Sequence, residues 1–220
     1  MIGDYILTQE IAGGATQEVR WPGELPIIFA TGISSISGWT VEGEGCYLTL
    51  NGTNVMLTNP SKAWSIRITG TVPSGTIFNF TTLPNLRIAF IANTAITHPP
   101  VVAGMLGLQC LQLNGNALTA PPDLTGCVAL KTLGIDNAPN AALATAPNLS
   151  PCNQLNLLFL IGNAFTSAML DTLIETLSTN ATASATSNGI ANLVGANAPT
   201  SASASAKTAL SGLGWRLKTA

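Results

Sequence analysis

Apolar residues recur along the middle of the chain with a fixed local signature. An apolar residue is followed three positions later by a leucine, in the pairs Leu83/Leu86, Met105/Leu108, Cys127/Leu130 and Cys152/Leu155. Successive second members lie 22, 22 and 25 residues apart. After each pair comes a short stretch in which apolar and other residues alternate, and then an asparagine. Alternation at period two is the mark of a strand with one buried face, because successive Cβ atoms point to opposite sides. Self-similarity at such a period predicts stacked copies of one small unit, each burying its apolar face against the next.

Two copies carry the spacing in full: Leu108-Gln-Cys-Leu111-Gln-Leu113-Asn-Gly-Asn116-Ala-Leu118 and Leu155-Asn-Leu-Leu158-Phe-Leu160-Ile-Gly-Asn163-Ala-Phe165. Two read as one residue shorter before the asparagine, Leu86-Arg-Ile88-Ala-Phe90-Ile-Ala-Asn93 and Leu130-Lys-Thr-Leu133-Gly-Ile135-Asp-Asn137. This series resembles the leucine-rich repeat family, whose pattern is L-x-x-L-x-L-x-x-N-x-L at a period of about 20 to 29 residues. The resemblance implies a mostly β fold with short helices, a solenoid with one parallel strand per repeat. It also implies that Asn93, Asn116 and Asn163 bond backbone groups at the turn after each strand, with Asn137 off by one. Residues between the inward leucines would form the ligand face: Ala89 and Ile91; Cys110, Gln112 and Asn114; Thr132, Gly134 and Asp136; Leu157, Phe159 and Ile161. The last of these strands is apolar on both faces, so either a partner or the chain's own termini would cover it.

Upstream, Ala63 to Thr71 and Cys46 to Thr53 alternate and end in turns, and the first 40 residues read as β-rich, punctuated by Pro22, Pro26 and glycines. Downstream, Met169, Leu170, Leu173, Ile174 and Leu177 fall on one helical face, with Thr166 or Ser167 available as N-cap. Residues 181 to 206 are rich in Ala, Ser, Thr and Asn and taken alone read as a linker. Gly189 to Asn197 reads as one more strand and turn, followed by Ala206 to Leu210 and Gly212 to Leu217. That layout resembles the terminal turns of bacterial and bacteriophage leucine-rich repeat proteins. The expected organisation is a β-rich cap or attachment region over 1–60, a solenoid over 61–180 and a terminal cap over 181–220.

Charge changes the picture. Only 8% of the 220 residues are Asp, Glu, Lys or Arg, and the formal net charge is -2, where about 25% charged is usual. Such a balance argues against a nucleic-acid surface or binding to anionic lipid. A weakly charged surface repels other copies weakly, which points to life in an assembly. The start of the chain shows no basic segment ahead of an apolar run, and no stretch approaches the ~18 apolar residues of a membrane span.

No enzyme site is legible. His98, in Thr-His-Pro-Pro, has no partners for nucleophilic catalysis, and no nucleophile elbow or phosphate-binding glycine motif is present. Glu42 and Glu44 form the one close acidic pair, in a glycine-rich turn. The four cysteines lack zinc-ligand spacing, and Cys127 and Cys152 stand at the apolar position occupied elsewhere by Leu83 and Met105, where a thiol acts as a small hydrophobe. Asn51 and Asn79 match glycosylation sequons by accident. The expectation is a non-catalytic bacteriophage virion protein without cofactor or metal: capsid decoration, head fibre or tail-associated. Its partners would be other virion proteins, copies of itself or a host surface. The alternative is a bacterial surface or effector protein, at the cell surface or secreted without a cleaved signal.

Overall fold

A computed structural model describes residues 5–11, 15–21, 24–136 and 143–219. Two strands, β1 (Tyr5–Ile11) and β2 (Ala15–Trp21), pair with each other as an antiparallel ribbon. Three more, β3 (Ile27–Ala30), β5 (Leu48–Asn51) and β6 (Asn54–Leu57), form an antiparallel sheet in the order β3-β6-β5. The main sheet has eight strands. Its members are β4 (Thr40–Glu42), β7 (Ser65–Thr69), β8 (Ile88–Ala92), β9 (Cys110–Gln112), β10 (Thr132–Gly134), β11 (Leu157–Phe159), β12 (Ile190–Asn192) and β13 (Arg216–Lys218). From β7 to β13 every neighbour is the next strand in sequence and every pair is parallel; β4 alone runs antiparallel, against β7.

The leucine spacing has a direct cause. In each unit the second apolar residue donates its N–H to the carbonyl of the first: Leu86 to Leu83 (3.0 Å), Leu108 to Met105, Leu130 to Cys127 and Leu155 to Cys152 (3.2 Å each). The pair is thus a tight turn that turns both side chains into the core just before the strand. The strands then stack in register, so that Ile66, Ala89, Leu111, Leu133, Leu158 and Ala191 form one inward row. All six are fully buried. At roughly 2 kcal/mol for each large aliphatic side chain withdrawn from water, such rows are the main stabilising feature of the sheet.

Two helices close the same side. Helix α1 (Ser167–Ala183) starts at Thr166, whose side chain accepts from Met169 N at 3.3 Å. It buries Leu170, Leu173, Ile174 and Leu177 in the core that holds the inward rows. Helix α2 (Ala204–Gly212) contributes Leu210, and Trp215 seals that end. Asp171 of α1 ties the two together, accepting from Thr200 N (2.9 Å), Thr200 Oγ1 (2.6 Å) and Ser203 Oγ (2.5 Å). At the opposite end Phe29, Trp39, Phe78 and Phe80 pack ring against ring, with centroids 5.6 to 6.2 Å apart.

The expected fold class, a mostly β leucine-rich-repeat solenoid, is corrected by this architecture. The protein is a mixed α/β fold built on an eight-stranded, mostly parallel sheet with two helices. A constant step of 22 to 25 residues fixes which strands pair and in what register. It does not fix what covers the sheet or how its edges end, and here a 17-residue helix and an antiparallel edge strand depart from a uniform coil. Among the described residues no helix is long and apolar enough to cross a membrane.

Candidate functional site

The side of the main sheet away from the helices carries the residues between the inward ones. Its rows run across the strands: Ile88, Cys110, Thr132, Leu157 and Ile190 in one, and Arg67, Phe90, Gln112, Gly134, Phe159 and Asn192 in the next. Most are half-buried, shielded by side chains on adjacent strands. Arg67 lies over the Phe90 ring with its guanidinium carbon 4.0 Å from the centroid, a cation–π contact that covers one face of the phenyl group.

Polar groups cross the centre of this open face as a chain of bonds. Asn114 Nδ2 donates to Gln112 Oε1 (2.9 Å), Asp136 N donates to Asn114 Oδ1 (3.1 Å), and Ile161 N donates to Asp136 Oδ1 (2.7 Å). Burial pushes the Asp136 carboxyl above its ordinary range, and the bond from Ile161 offsets part of that. Gly134 has no side chain because Gln112 lies across it: a Cβ there would sit 2.0 Å from Gln112 Oε1.

Of the residues expected on this face, Cys110, Gln112, Asn114, Thr132, Gly134, Asp136, Leu157, Phe159 and Ile161 lie between the inward positions. Ala89 and Ile91 do not. Both are fully buried and point into the core, while Ile88 and Phe90 take the outward positions. The cause is a one-residue shift: β8 pairs Ala89 with Leu111 and Phe90 with Gln112, and such a slip exchanges the two faces of a strand.

The same shift corrects Asn93. Its backbone is left-handed, with φ of 55°, and its side chain is exposed; the matching position in the next unit is Gly115, with φ of 70°. The position equivalent to Asn116 is instead Thr94. Asn116 is completely buried. Its Nδ2 donates to Ile91 O (2.8 Å) and Leu113 O (2.9 Å), and its Oδ1 accepts from Thr94 N (3.0 Å) and Thr94 Oγ1 (2.8 Å). Asn163 does the same two units on: Nδ2 to Ile135 O (2.9 Å) and Leu160 O (3.1 Å), with Oδ1 accepting from Leu143 N (3.1 Å). Each amide therefore staples its own strand's end to the preceding turn. Asn137 lies outside the described residues.

No acid–base or nucleophilic constellation assembles among the described residues. His98 is exposed, with Nδ1 3.1 Å from Thr97 Oγ1. Glu42 and Glu44 are exposed. The cysteines are free thiols; Cys127 Sγ donates to Val102 O at 3.3 Å, and burial pushes the Cys152 thiol up to about 12, so it stays protonated and unreactive at neutral pH. Among the described residues no three of His, Cys, Asp and Glu cluster as metal ligands would. Asn79 of one sequon is taken up locally, accepting from Thr81 N at 3.1 Å.

Compared with protein-family models, curated proteins and solved structures, the chain matches none. The resemblance to leucine-rich repeats therefore rests on the residue spacing alone.

Proposed function

We propose that the protein is a non-catalytic structural component of a bacteriophage virion that contacts neighbouring proteins through the open face of its eight-stranded sheet. One observation carries this reading. Leu157, Phe159, Ile161 and Ile190 on and beside β11 and β12, with Ile88 and Phe90 three strands away on β8, place partly buried apolar groups on that face, on the side opposite both helices and on either side of the Gln112–Asn114–Asp136 chain. Apolar side chains set beside a bonded polar chain in this way suit a surface that another protein covers. The sparse charge is in keeping with this, since a surface with 8% charged residues does little to hold neighbours apart.

Quantitative mass spectrometry of purified particles from a lysed culture tests the assignment. A fixed copy number relative to the major capsid protein supports it, and the copy number separates decoration from a tail position. Recovery only in the cell envelope or soluble fraction overturns it in favour of a bacterial surface or effector protein. Phe159→Lys tests the face itself: incorporation into particles is lost while the melting temperature stays within ~3 °C, about 1 kcal/mol for a domain of this size. Incorporation at the wild-type level removes the face from the reading.

A further inference from the structure

A row of side chains along one rim of the main sheet serves neither the core nor the open face. It sits where the chain runs into each strand. There a single carbonyl accepts two N–H groups from the following unit: Trp64 O from Arg87 N (2.8 Å) and Ile88 N (3.1 Å), Arg87 O from Gln109 N (2.8 Å) and Cys110 N (3.0 Å). Gln109 O likewise takes Lys131 N (2.8 Å) and Thr132 N (3.0 Å), and Lys131 O takes Asn156 N (2.9 Å) and Leu157 N (3.0 Å). This ladder stacks Trp64, Arg87, Gln109, Lys131 and Asn156 one above another, about 4.8 Å per rung.

Trp64, Arg87 and Lys131 are exposed, and Gln109 and Asn156 half-exposed. Trp64 keeps 41% of its surface accessible, unusual for an indole outside a binding surface. Among the described residues the side chains of Arg87, Gln109, Lys131 and Asn156 have no hydrogen-bond or ion-pair partner. At the Trp64 end the row opens onto a depression of about 330 Å³ lined by Ser61, Lys62, Trp64, Asn85 and Arg87. Asn85 Nδ2, on its lining, donates to Ser61 O at 2.6 Å. The Glu24 carboxylate is held by Ser61 N (3.0 Å) and Ser61 Oγ, beside Lys62. Glu24 thus offsets Lys62 and leaves Arg87 and Lys131 as the uncompensated charges. The chain carries only eight Lys and Arg at a net charge of -2, so this grouping is no by-product of a basic protein.

We propose that this rim binds an anionic oligosaccharide, one pyranose ring stacked on the Trp64 indole and acidic groups on alternate sugars held by Arg87 and Lys131. Three features select this ligand class. An exposed indole face suits the apolar C–H face of a sugar ring. The amides of Gln109 and Asn156 donate and accept, as hydroxyl groups require. The two cations stand on alternate rungs, ~10 Å apart by strand spacing, and the Arg87 fork matches a carboxylate or sulfate. An acidic peptide is a poorer match, because the rim's carbonyls are already bonded to the next unit and leave little to pair with an added strand. A single nucleic-acid strand is poorer too, since it uses a series of aromatic platforms and the rim offers one.

The test is calorimetric titration of the full chain at low salt with hexasaccharides of polygalacturonate (carboxylate) and heparin (sulfate), the neutral cellohexaose, decathymidylate and hexaglutamate. The expected result is at least tenfold tighter binding of one of the two anionic hexasaccharides than of cellohexaose, decathymidylate or hexaglutamate; which one binds separates a carboxylate from a sulfate ligand. Trp64→Ala and Arg87→Gln should each weaken it tenfold or more, and Lys131→Gln severalfold. Lys207→Gln, remote from the rim, should leave binding unchanged, and all four variants should melt as wild type does. The proposal is overturned by any one of three results: neither anionic sugar exceeds the neutral one; Trp64→Ala and Arg87→Gln bind like wild type; or decathymidylate or hexaglutamate binds tighter than both anionic sugars and depends on Arg87. These variants leave Phe159 and the open face intact, so the rim fails or stands independently of the virion assignment.

Discussion

Replacing Asn116 with alanine isolates the most concentrated polar feature of the core. The side chain is fully buried and makes four hydrogen bonds of 2.8 to 3.0 Å, two given to Ile91 O and Leu113 O and two taken from Thr94. Each is worth about 1 kcal/mol net, and each partner left without a bond in the interior adds a desolvation penalty. The Thr94 N–H and the two carbonyls are fixed by the backbone and cannot turn to another partner. The expected loss is therefore ~4 kcal/mol, or ~8 to 16 °C in melting temperature for a domain of this length. Urea denaturation followed by circular dichroism gives the value directly. A cycle with Thr94→Val sharpens it: that change should cost ~1 kcal/mol in the wild type and close to nothing once Asn116 is gone. A loss below about 1.5 kcal/mol for Asn116→Ala, or equal costs of Thr94→Val in both backgrounds, would refute the stapling role.

Asn93→Gly, on the same denaturation assay, should be neutral or stabilising by a few tenths of a kcal/mol, because a left-handed φ of 55° suits glycine and no bond like those of Asn116 is lost; a loss of several kcal/mol would return Asn93 to the stapling position. Asp136→Asn should stabilise at pH 7. A carboxyl raised by burial from its ordinary 3.8 contributes favourably only below that value and loses the contribution as pH rises through its folded pKa, so the gain should shrink as the pH falls towards 3, which melting curves across pH 3 to 7 would register. Gly189→Ala should cost ~2 kcal/mol. Its Cβ would lie 2.5 Å from the Trp215 indole, which is pinned by its Nε1 bond to Thr186 O (3.0 Å), and an unchanged urea midpoint would show that the indole is free to move.

What the chain's apolar pattern made legible is whatever depends on local periodicity. The pairs three residues apart are turns, the alternating stretches are strands, and Thr166 caps a helix whose buried face is the one its spacing predicts. Fold class was not legible, because a parallel strand buried on one side reads alike whatever covers it. The helices and the antiparallel β4 are choices made by segments outside the repeat. Helix α2 was hidden for a related reason. Ala204–Gly212 is short and rich in Ser and Thr, whose side chains compete for backbone bonds, and its first three residues fall in the 181–206 stretch that reads as linker. It is held by Asp171, some 30 residues earlier in the chain, through Thr200 and Ser203.

The slip in β8 shows why a strand's facing cannot be settled within the strand. Read alone, Ile88-Ala-Phe-Ile-Ala92 favours burying Ile88 and Phe90, the bulkier alternating set. The sheet opposes this with more terms. β8 is bonded over five positions to β7 and three to β9, and shifting it by one residue would misalign both ladders. The turn from Leu83 to Leu86 also presets Ala89 as the next inward position, in the three-residue step that Leu108 to Leu111 repeats. Finally, only this register brings the Thr94 N–H to Asn116 Oδ1 (3.0 Å). Several bonds of about 1 kcal/mol each outweigh the difference in burial between Phe90 and Ala89, which Arg67 reduces further by lying on the exposed ring. The consequence reaches the open face: the register that stabilises the core turns Ile88 and Phe90 outward, and so places a second apolar pair on that face at β8, separated from Leu157 and Phe159 by the outward Cys110, Gln112, Thr132 and Gly134 of β9 and β10.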